Sequence, residues 1–384
     1  MDGFPACGLA CLTQAIRSSS CSLLDIDCIC HNEQLITQIQ ACGVQNCTIK
    51  DNLRSMNSLY TTCEYPVEVN NKVFAPLLIV LIILSSLAVT LRIVGRLIGS
   101  KLGLDDGAML LTLAITLALT ILTYFQSAMC LGKDIWTVPF DTITKFIYQY
   151  YVCEILYVAS ITFSKISMLL LFLRLFQMHF RLANYLALAF TVAWGLALFL
   201  ALVFSCQPIS YFWTMWDGEH EGECTNNTKL VWAHACTNIF LDVVIIGLPM
   251  PTLFQLTLSW RRKVGVCMMF AVGIVVTIVS ILRFMASLSF DMTDNPTKNL
   301  VIITIWSVLE THLSIICACM PGIRAFFNYT RARLYPKPSL YDFPSTGANF
   351  GNGHGISNLR DVGCLTLKSA NREQGEFIRL QETD

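Results

Sequence analysis

Eight cysteines crowd the first 63 residues of the 384-residue chain, at Cys7, Cys11, Cys21, Cys28, Cys30, Cys42, Cys47 and Cys63, and nine more are scattered over the rest. Thiols at this density either close into disulfides or hold a metal ion. Spacing alone leaves the pairing open. Helical geometry narrows it: Cys7 and Cys11 lie i,i+4 on one helix face, and Cys42 with Cys47 can share a second. Antiparallel packing of those faces would join Cys7 to Cys47 and Cys11 to Cys42. Cys28 and Cys30 point in different directions and need different partners. Zinc is the competing chemistry for the C-x-C and C-x4-C spacings, but the segment offers one histidine, His31.

The second chemically loaded set consists of ionisable residues inside apolar stretches, Glu154, Lys165, Asp242, Arg283 and Glu310. A charge in a bilayer costs about 2.5–3.5 kcal/mol on insertion scales, so such residues are paired or functional. At 1.5 Å per residue, Glu154, Arg283 and Glu310 fall in the outer half of their spans and Asp242 near the middle. Lys165 falls near the inner side, level with Asp105 and Asp106. The expectation is an outer cluster lining a ligand cavity and an inner latch joining Lys165 to Asp105 or Asp106. Static ion pairs holding a bundle together are the alternative. Cys206 and Cys224 flank an acidic loop, 207–229, that a disulfide would fold over the bundle.

These residues require membrane helices to position them. Only 14% of positions are charged and 54% are hydrophobic, against roughly 25% charged in soluble domains. The 26 basic and 26 acidic residues cancel, which leaves no basic field for nucleic acid. Seven spans are expected at about 74–97, 107–130, 147–173, 183–206, 230–253, 265–289 and 299–321. One alternating set of loops and helix ends carries twelve Lys and Arg, including Arg92, Arg96, Arg174 and Arg261 to Lys263, against four in the opposite set. The positive-inside rule then places the N-terminal head outside, in a disulfide-permissive space, and the C-terminus in the cytoplasm. The opening Met1-Asp2-Gly3-Phe4-Pro5 lacks the pattern of a leader. Either the first span exports the head as a reversed anchor, or a further segment precedes it. Asn226-Asn227-Thr228, in the outer loop, makes Asn226 a glycosylation candidate, whereas Asn46 precedes a disulfide-bound cysteine and is a poor one.

Pro5-Ala6-Cys7-Gly8, Asp25-Ile26-Asp27-Cys28-Ile29-Cys30 and the later cysteines resemble the fungal CFEM domain over about residues 4–66. The resemblance implies a helical basket with four disulfides, pairing Cys7 with Cys47, Cys11 with Cys42, Cys21 with Cys28 and Cys30 with Cys63. It also implies haem: in haem-scavenging members an Asp three residues before C-x-C is the axial ligand, and the matching position is Asp25. An anionic oxygen suits hard ferric iron, and Leu23, Leu24, Ile26 and Ile29 would pack the porphyrin. The alternative is that Asp25 and Asp27 are solvated or capping acids.

Further on, Cys206-Gln207-Pro208 through Trp213, Gly222-Glu223-Cys224-Thr225-Asn226, Asp242 to Pro251, Arg262-Lys263, Arg283, and Trp306 through Glu310 to Cys319-Met320-Pro321 resemble the fungal rhodopsin-like integral membrane family over about 74–328. Joined to a CFEM head, the chain resembles the pathogenesis-associated group of fungal G-protein-coupled-receptor-like proteins, which sense surfaces or host cues. The fold class is thus an all-α membrane protein, with an extracellular CFEM domain at 1–66, a linker at 67–73, a seven-helix domain at 74–328 and a disordered cytoplasmic tail at 329–384.

Several motifs depart from animal receptors. The third span ends Leu173-Arg174-Leu175-Phe176 without Asp-Arg-Tyr, and the seventh ends without Asn-Pro-x-x-Tyr. Retinal is not expected, because the last span has no mid-membrane lysine. Pro249, Pro251 and Pro321 are expected to break or end helices near the inner face. The leading function is a plasma-membrane receptor for an unidentified extracellular ligand, with a G protein or other cytoplasmic partner. The alternative is haem capture by the head, with the bundle as anchor or permeation path. No nucleophile-base constellation argues for an enzyme.

Overall fold

The computed structural model describes residues 4–334, apart from 24, 66–73, 100, 176–180, 252–259 and 291–295. The head is four helices, α1 (Ala6–Arg17), α2 (Ile26–His31), α3 (Glu33–Asn46) and α4 (Ile49–Thr62). Three of them begin on a side chain that accepts an orphan backbone N–H: Asp25 from Cys28 at 3.0 Å, Asn32 from Leu35 at 3.1 Å and Thr48 from Asp51 at 3.2 Å. Leu12, Ile16, Ile29, Leu35, Ile39 and Leu59 form the core. A core this small gains from covalent closure. Disulfides Cys7–Cys47 and Cys11–Cys42 tie α1 to the end of α3, Cys21–Cys28 closes the approach to α2, and Cys30–Cys63 joins α2 to the end of α4.

The body consists of α5 (Phe74–Gly99), α6 (Leu104–Met129), α7 (Phe140–Leu175), α8 (Arg181–Val203), the short α9 (Tyr211–Thr214), α10 (Asn227–Gly247), α11 (Trp260–Phe290) and α12 (Pro296–Leu334). Among the described residues, seven of these helices are long and apolar enough to cross a membrane, which makes this a multi-pass membrane protein. Large apolar side chains such as Ile83, Leu87, Leu186 and Phe199 face outward, as a lipid solvent requires. The most buried of the seven is α7 and the least buried is α8. Between α8 and α10, β1 (Cys206–Gln207) pairs antiparallel with β2 (Glu223–Cys224), and Cys206 is disulfide-bonded to Cys224.

The largest departures from the expected span boundaries are in α7, α10 and α12. Helix α7 starts at Phe140, ahead of the expected 147, because Asp141 and Lys145 lower the hydropathy without ending the helix. Pro321 was expected to break or end the last helix, yet α12 runs through it to Leu334. Packing against α5 supports this stretch: Arg92 donates to the Ala318 carbonyl at 2.6 Å, in the turn a proline weakens. The two helices approach so closely that a Cβ on Gly322 would lie 2.8 Å from the Arg92 Cγ. At the inner end of α10 the helix stops at Gly247, before Pro249.

The head rests on the loops of the bundle through α4. Tyr60 packs on Trp136, with ring centroids 4.6 Å apart, and the Arg54 guanidinium lies 5.2 Å over the Phe140 ring. Lys50 pairs with Glu219 at 2.7 Å and reaches Asp217 at 3.9 Å.

Candidate functional site

At the head end of the bundle is a cavity of about 190 Å³, bounded by α7, α10 and α11 and roofed by α9. It takes its two charges from helix interiors: Glu154 from α7 and Arg283 from α11. Arg283 is fixed by donation from Nε to the Ser307 hydroxyl at 3.0 Å and by the Tyr157 ring, whose centroid lies 4.1 Å from the guanidinium carbon. Glu154 accepts from the Tyr150 hydroxyl at 3.0 Å. Tyr150, Phe212 and Trp232 supply aromatic walls.

Glu310, expected beside these two as a cavity residue, sits deeper. It is 1% exposed and accepts from the Tyr157 hydroxyl at 2.6 Å and from the Asn238 amide at 2.5 Å. The Ser280 hydroxyl is 2.6 Å from Glu310 and 3.1 Å from Asp242. Asp242 in turn binds Lys165, which also donates to the Asn238 carbonyl at 3.2 Å. Lys165 and Asp242 line a second, tighter cavity of about 50 Å³ on the side away from the head. Tyr157, Glu310, Ser280, Asp242 and Lys165 therefore form one polar path from beneath Arg283 to that inner cavity.

The expected inner latch is not formed. Lys165 does not reach Asp105 or Asp106, because it points about 200° around α7 from Ser167, which donates to the Asp105 carbonyl at 2.8 Å, and so faces Asp242 of α10 instead. Asp105 and Asp106 bind arginines instead. The fully buried Arg92 donates to Asp105 at 2.8 Å and to Asp106 at 3.0 Å, and Arg174 of α7 reaches Asp105 at 3.3 Å. Arg96 lies 3.5 Å from Asp105. The basic residues counted as loop charges thus knot α5, α6, α7 and α12 together. Arg261, Arg262 and Lys263 have side chains outside the described residues.

Sequence reasoning missed Tyr157, Asn238 and Ser280 because they carry no charge, although a signal existed. His234, Asn238 and Asp242 fall i, i+4, i+8 on α10, and Ser280, Arg283 and Ser287 fall i, i+3, i+7 on α11, each a polar stripe on an apolar helix. His312, buried between the hydroxyls of Ser85 at 2.9 Å and Thr120 at 3.0 Å, ties α12 to α5 and α6.

In the head, Asp25 is exposed, and one carboxylate oxygen caps α2. Exposed Leu23 and Ile26 flank it, but Ile29 is 3% exposed and belongs to the core. Leu24 lies outside the described residues. Asp25 with Leu23 and Ile26 fits a one-sided surface for a planar, iron-bearing ligand, whereas Ile29 does not contribute. All eight head cysteines are in disulfides, and no group of three or more candidate metal ligands occurs among the described residues. Asn226 is exposed and caps α10, accepting from the Lys229 N–H at 3.1 Å. Asn46 instead donates its amide to the Cys42 carbonyl at 3.1 Å.

Seven membrane helices with a buried polar path, joined to a four-disulfide helical head, define a multi-pass integral membrane protein with a disulfide-bonded domain at its N-terminal end. Residues 91–329 match the fungal rhodopsin domain and residues 1–64 the CFEM domain, and the chain belongs to the fungal rhodopsin-like family with a CFEM head. It is similar to a SAT4 family membrane protein of Emericella nidulans, 31% identical over 46% of this chain and 44% of that protein. It is also similar to Receptor GIN3 of Arthrobotrys oligospora, 28% identical over 60% of this chain and 55% of that protein. Satratoxin biosynthesis SC1 cluster protein 4 of Stachybotrys chartarum is 28% identical over 50% of this chain and 66% of that protein. The chain spans about half the length of the relatives it matches. No solved structure matches it.

Proposed function

We propose that this protein is a non-enzymatic plasma-membrane receptor, with its CFEM head and head-end cavity outside and its C-terminus in the cytoplasm. An extracellular or host cue acts on the head or cavity, and the bundle passes the signal to a G protein or another cytoplasmic partner. The observation that carries this reading is the polar path from Arg283 at the cavity, through Tyr157 and Glu310, to the Lys165–Asp242 pair at the inner cavity. A change at Arg283 would alter Tyr157, and with it the hydrogen bonds of Glu310. The name of the Arthrobotrys relative and the twelve-to-four distribution of basic residues support the same reading. The test compares Arg283→Ala and Glu310→Ala with the unaltered chain in the native cell. Normal surface expression with lost signalling is the expected outcome, and unchanged responses in both would refute the role of the path.

A second reading, haem capture by the head, draws on the exposed Asp25 carboxylate beside exposed Leu23 and Ile26. Bound ferric haem would supply redox-active iron, and Asp25 would hold it through oxygen. Titration of the full chain with ferric haem should then give a Soret shift that Asp25→Ala abolishes. A shift unaffected by that substitution, or none, rejects Asp25 as ligand.

A further inference from the structure

The head-end cavity is built around two opposite charges, Arg283 and Glu154, that no direct ion pair or hydrogen bond joins. Arg283 is only 2% exposed, and its two guanidinium amino groups make no hydrogen bond among the described residues. Glu154 accepts a hydrogen bond through one oxygen only, and forms no ion pair with Arg283. Opposite charges attract strongly in a membrane interior. Here Ser307 and the Tyr157 ring hold one side chain while Tyr150 holds the other. At the start of α10, the Oδ1 of another lining residue, Asn227, is buried with no hydrogen-bond partner among the described residues. The lining therefore combines a cationic donor, Arg283, with acceptors on Glu154 and Asn227 that have capacity to spare, and aromatic surface from Tyr150, Phe212 and Trp232.

We propose that this cavity binds a small apolar zwitterion of the α-amino-acid kind. Its carboxylate would lie on Arg283, its ammonium on Glu154 and Asn227 Oδ1, and its side chain against the aromatic walls. A simple anion would be repelled by Glu154 and would leave the acceptors unmatched, while a simple amine would leave Arg283 unmatched. Each buried group left without a partner lowers affinity. The size suits a single ring or a branched aliphatic group, since a cavity of roughly 150 Å³ already admits benzene and this one measures about 190 Å³. The inference rests on reading the cavity as the ligand site of the receptor.

The test uses the full chain in lipid nanodiscs, titrated with phenylalanine, tyrosine and leucine. For each, two analogues are included: the amide, which lacks the carboxylate, and the deaminated acid, which lacks the amine. At least one zwitterion should give saturable thermal stabilisation, with both of its one-charge analogues roughly tenfold or more weaker. Arg283→Gln should erase the discrimination against the amide, and Glu154→Gln that against the deaminated acid. The less buried Glu154 variant keeps the test decisive if Arg283→Gln fails to fold. Equal binding of the three forms, tighter binding of a one-charge form, or no saturable binding by any zwitterion would overturn the proposal. If no zwitterion binds but Arg283→Ala and Glu310→Ala still abolish signalling, the ligand class fails and the receptor reading stands. If a zwitterion binds with the expected discrimination but both substitutions leave signalling untouched, the ligand class stands and the role of the polar path fails.

Discussion

Lys165 and Asp242 join α7 to α10 inside the bundle, and among the described residues each is the other's only ion-pair partner. Removing one member of such a pair strands the other, a loss of about 3–5 kcal/mol, whereas replacing both with apolar residues is near neutral or stabilising. Lys165→Met should therefore lower the thermal midpoint of the detergent-solubilised protein sharply, and Lys165→Met with Asp242→Leu should recover most of the loss. Equal destabilisation by the single and double variants would show that the pair is not coupled. That the two residues needed partners was legible in the sequence, because a charge in an apolar stretch has few other solutions. Which partner was not legible: depth along one helix fixes a level in the membrane, but not which neighbouring helix faces it there. Lys165 was matched to Asp105 and Asp106 for that reason, while Arg92, counted with the loops, took its place beside them.

At the scale of elements, α4 is the contact between two bodies that the sequence describes as separate. The i,i+4 cysteines of α1 and the apolar stretches of the spans revealed each body, but nothing in either pattern announced Tyr60 on Trp136 or Lys50 on the 207–229 loop. Interfaces made of a few aromatic and charged side chains carry no periodicity. Trp136→Ala removes the ring that Tyr60 packs on, worth about 0.5–1.5 kcal/mol beyond its buried area. It should raise amide exchange in α4 while leaving α1 and α3, locked by disulfides, unchanged. The Lys50 contacts add a pH dependence. Burial pushes the Asp217 carboxyl up, but the Glu219 N–H, His220 and Lys50 outweigh it and hold Asp217 below the usual carboxylate range. A depressed carboxyl stabilises the folded state fully above its unfolded value, about 3.9, and loses that contribution as pH falls through the lower folded value. The protection of α4 amides, corrected for their intrinsic pH-dependent exchange rate, should thus stay constant from neutral down to about pH 4 and fall only below it.

For the whole molecule, the low charge content has an internal order: acids and a disulfide-tied loop at the head end, and an arginine knot around Asp105 and Asp106 at the other. The knot explains why a bundle without the Asp-Arg-Tyr pattern can still fasten its third spanning helix, since Arg174 of α7 reaches across to Asp105 at the start of α6. It also means that some basic residues supporting the orientation are buried structural groups, so orientation needs an independent measurement. Asn226 supplies one. It is exposed at the mouth of the loop, and its cap on α10 uses the side-chain oxygen, leaving the nitrogen for a glycan. With the head outside, treatment of the cell-expressed protein with a glycosidase that removes N-linked glycans should increase its gel mobility. Asn226→Asp, which preserves the capping oxygen, should migrate at the deglycosylated position without treatment. The chain carries a further sequon, Asn328-Tyr329-Thr330, on the side proposed to be cytoplasmic. A shift that persists in Asn226→Asp and disappears in Asn328→Asp would place that side outside and reverse the proposed topology.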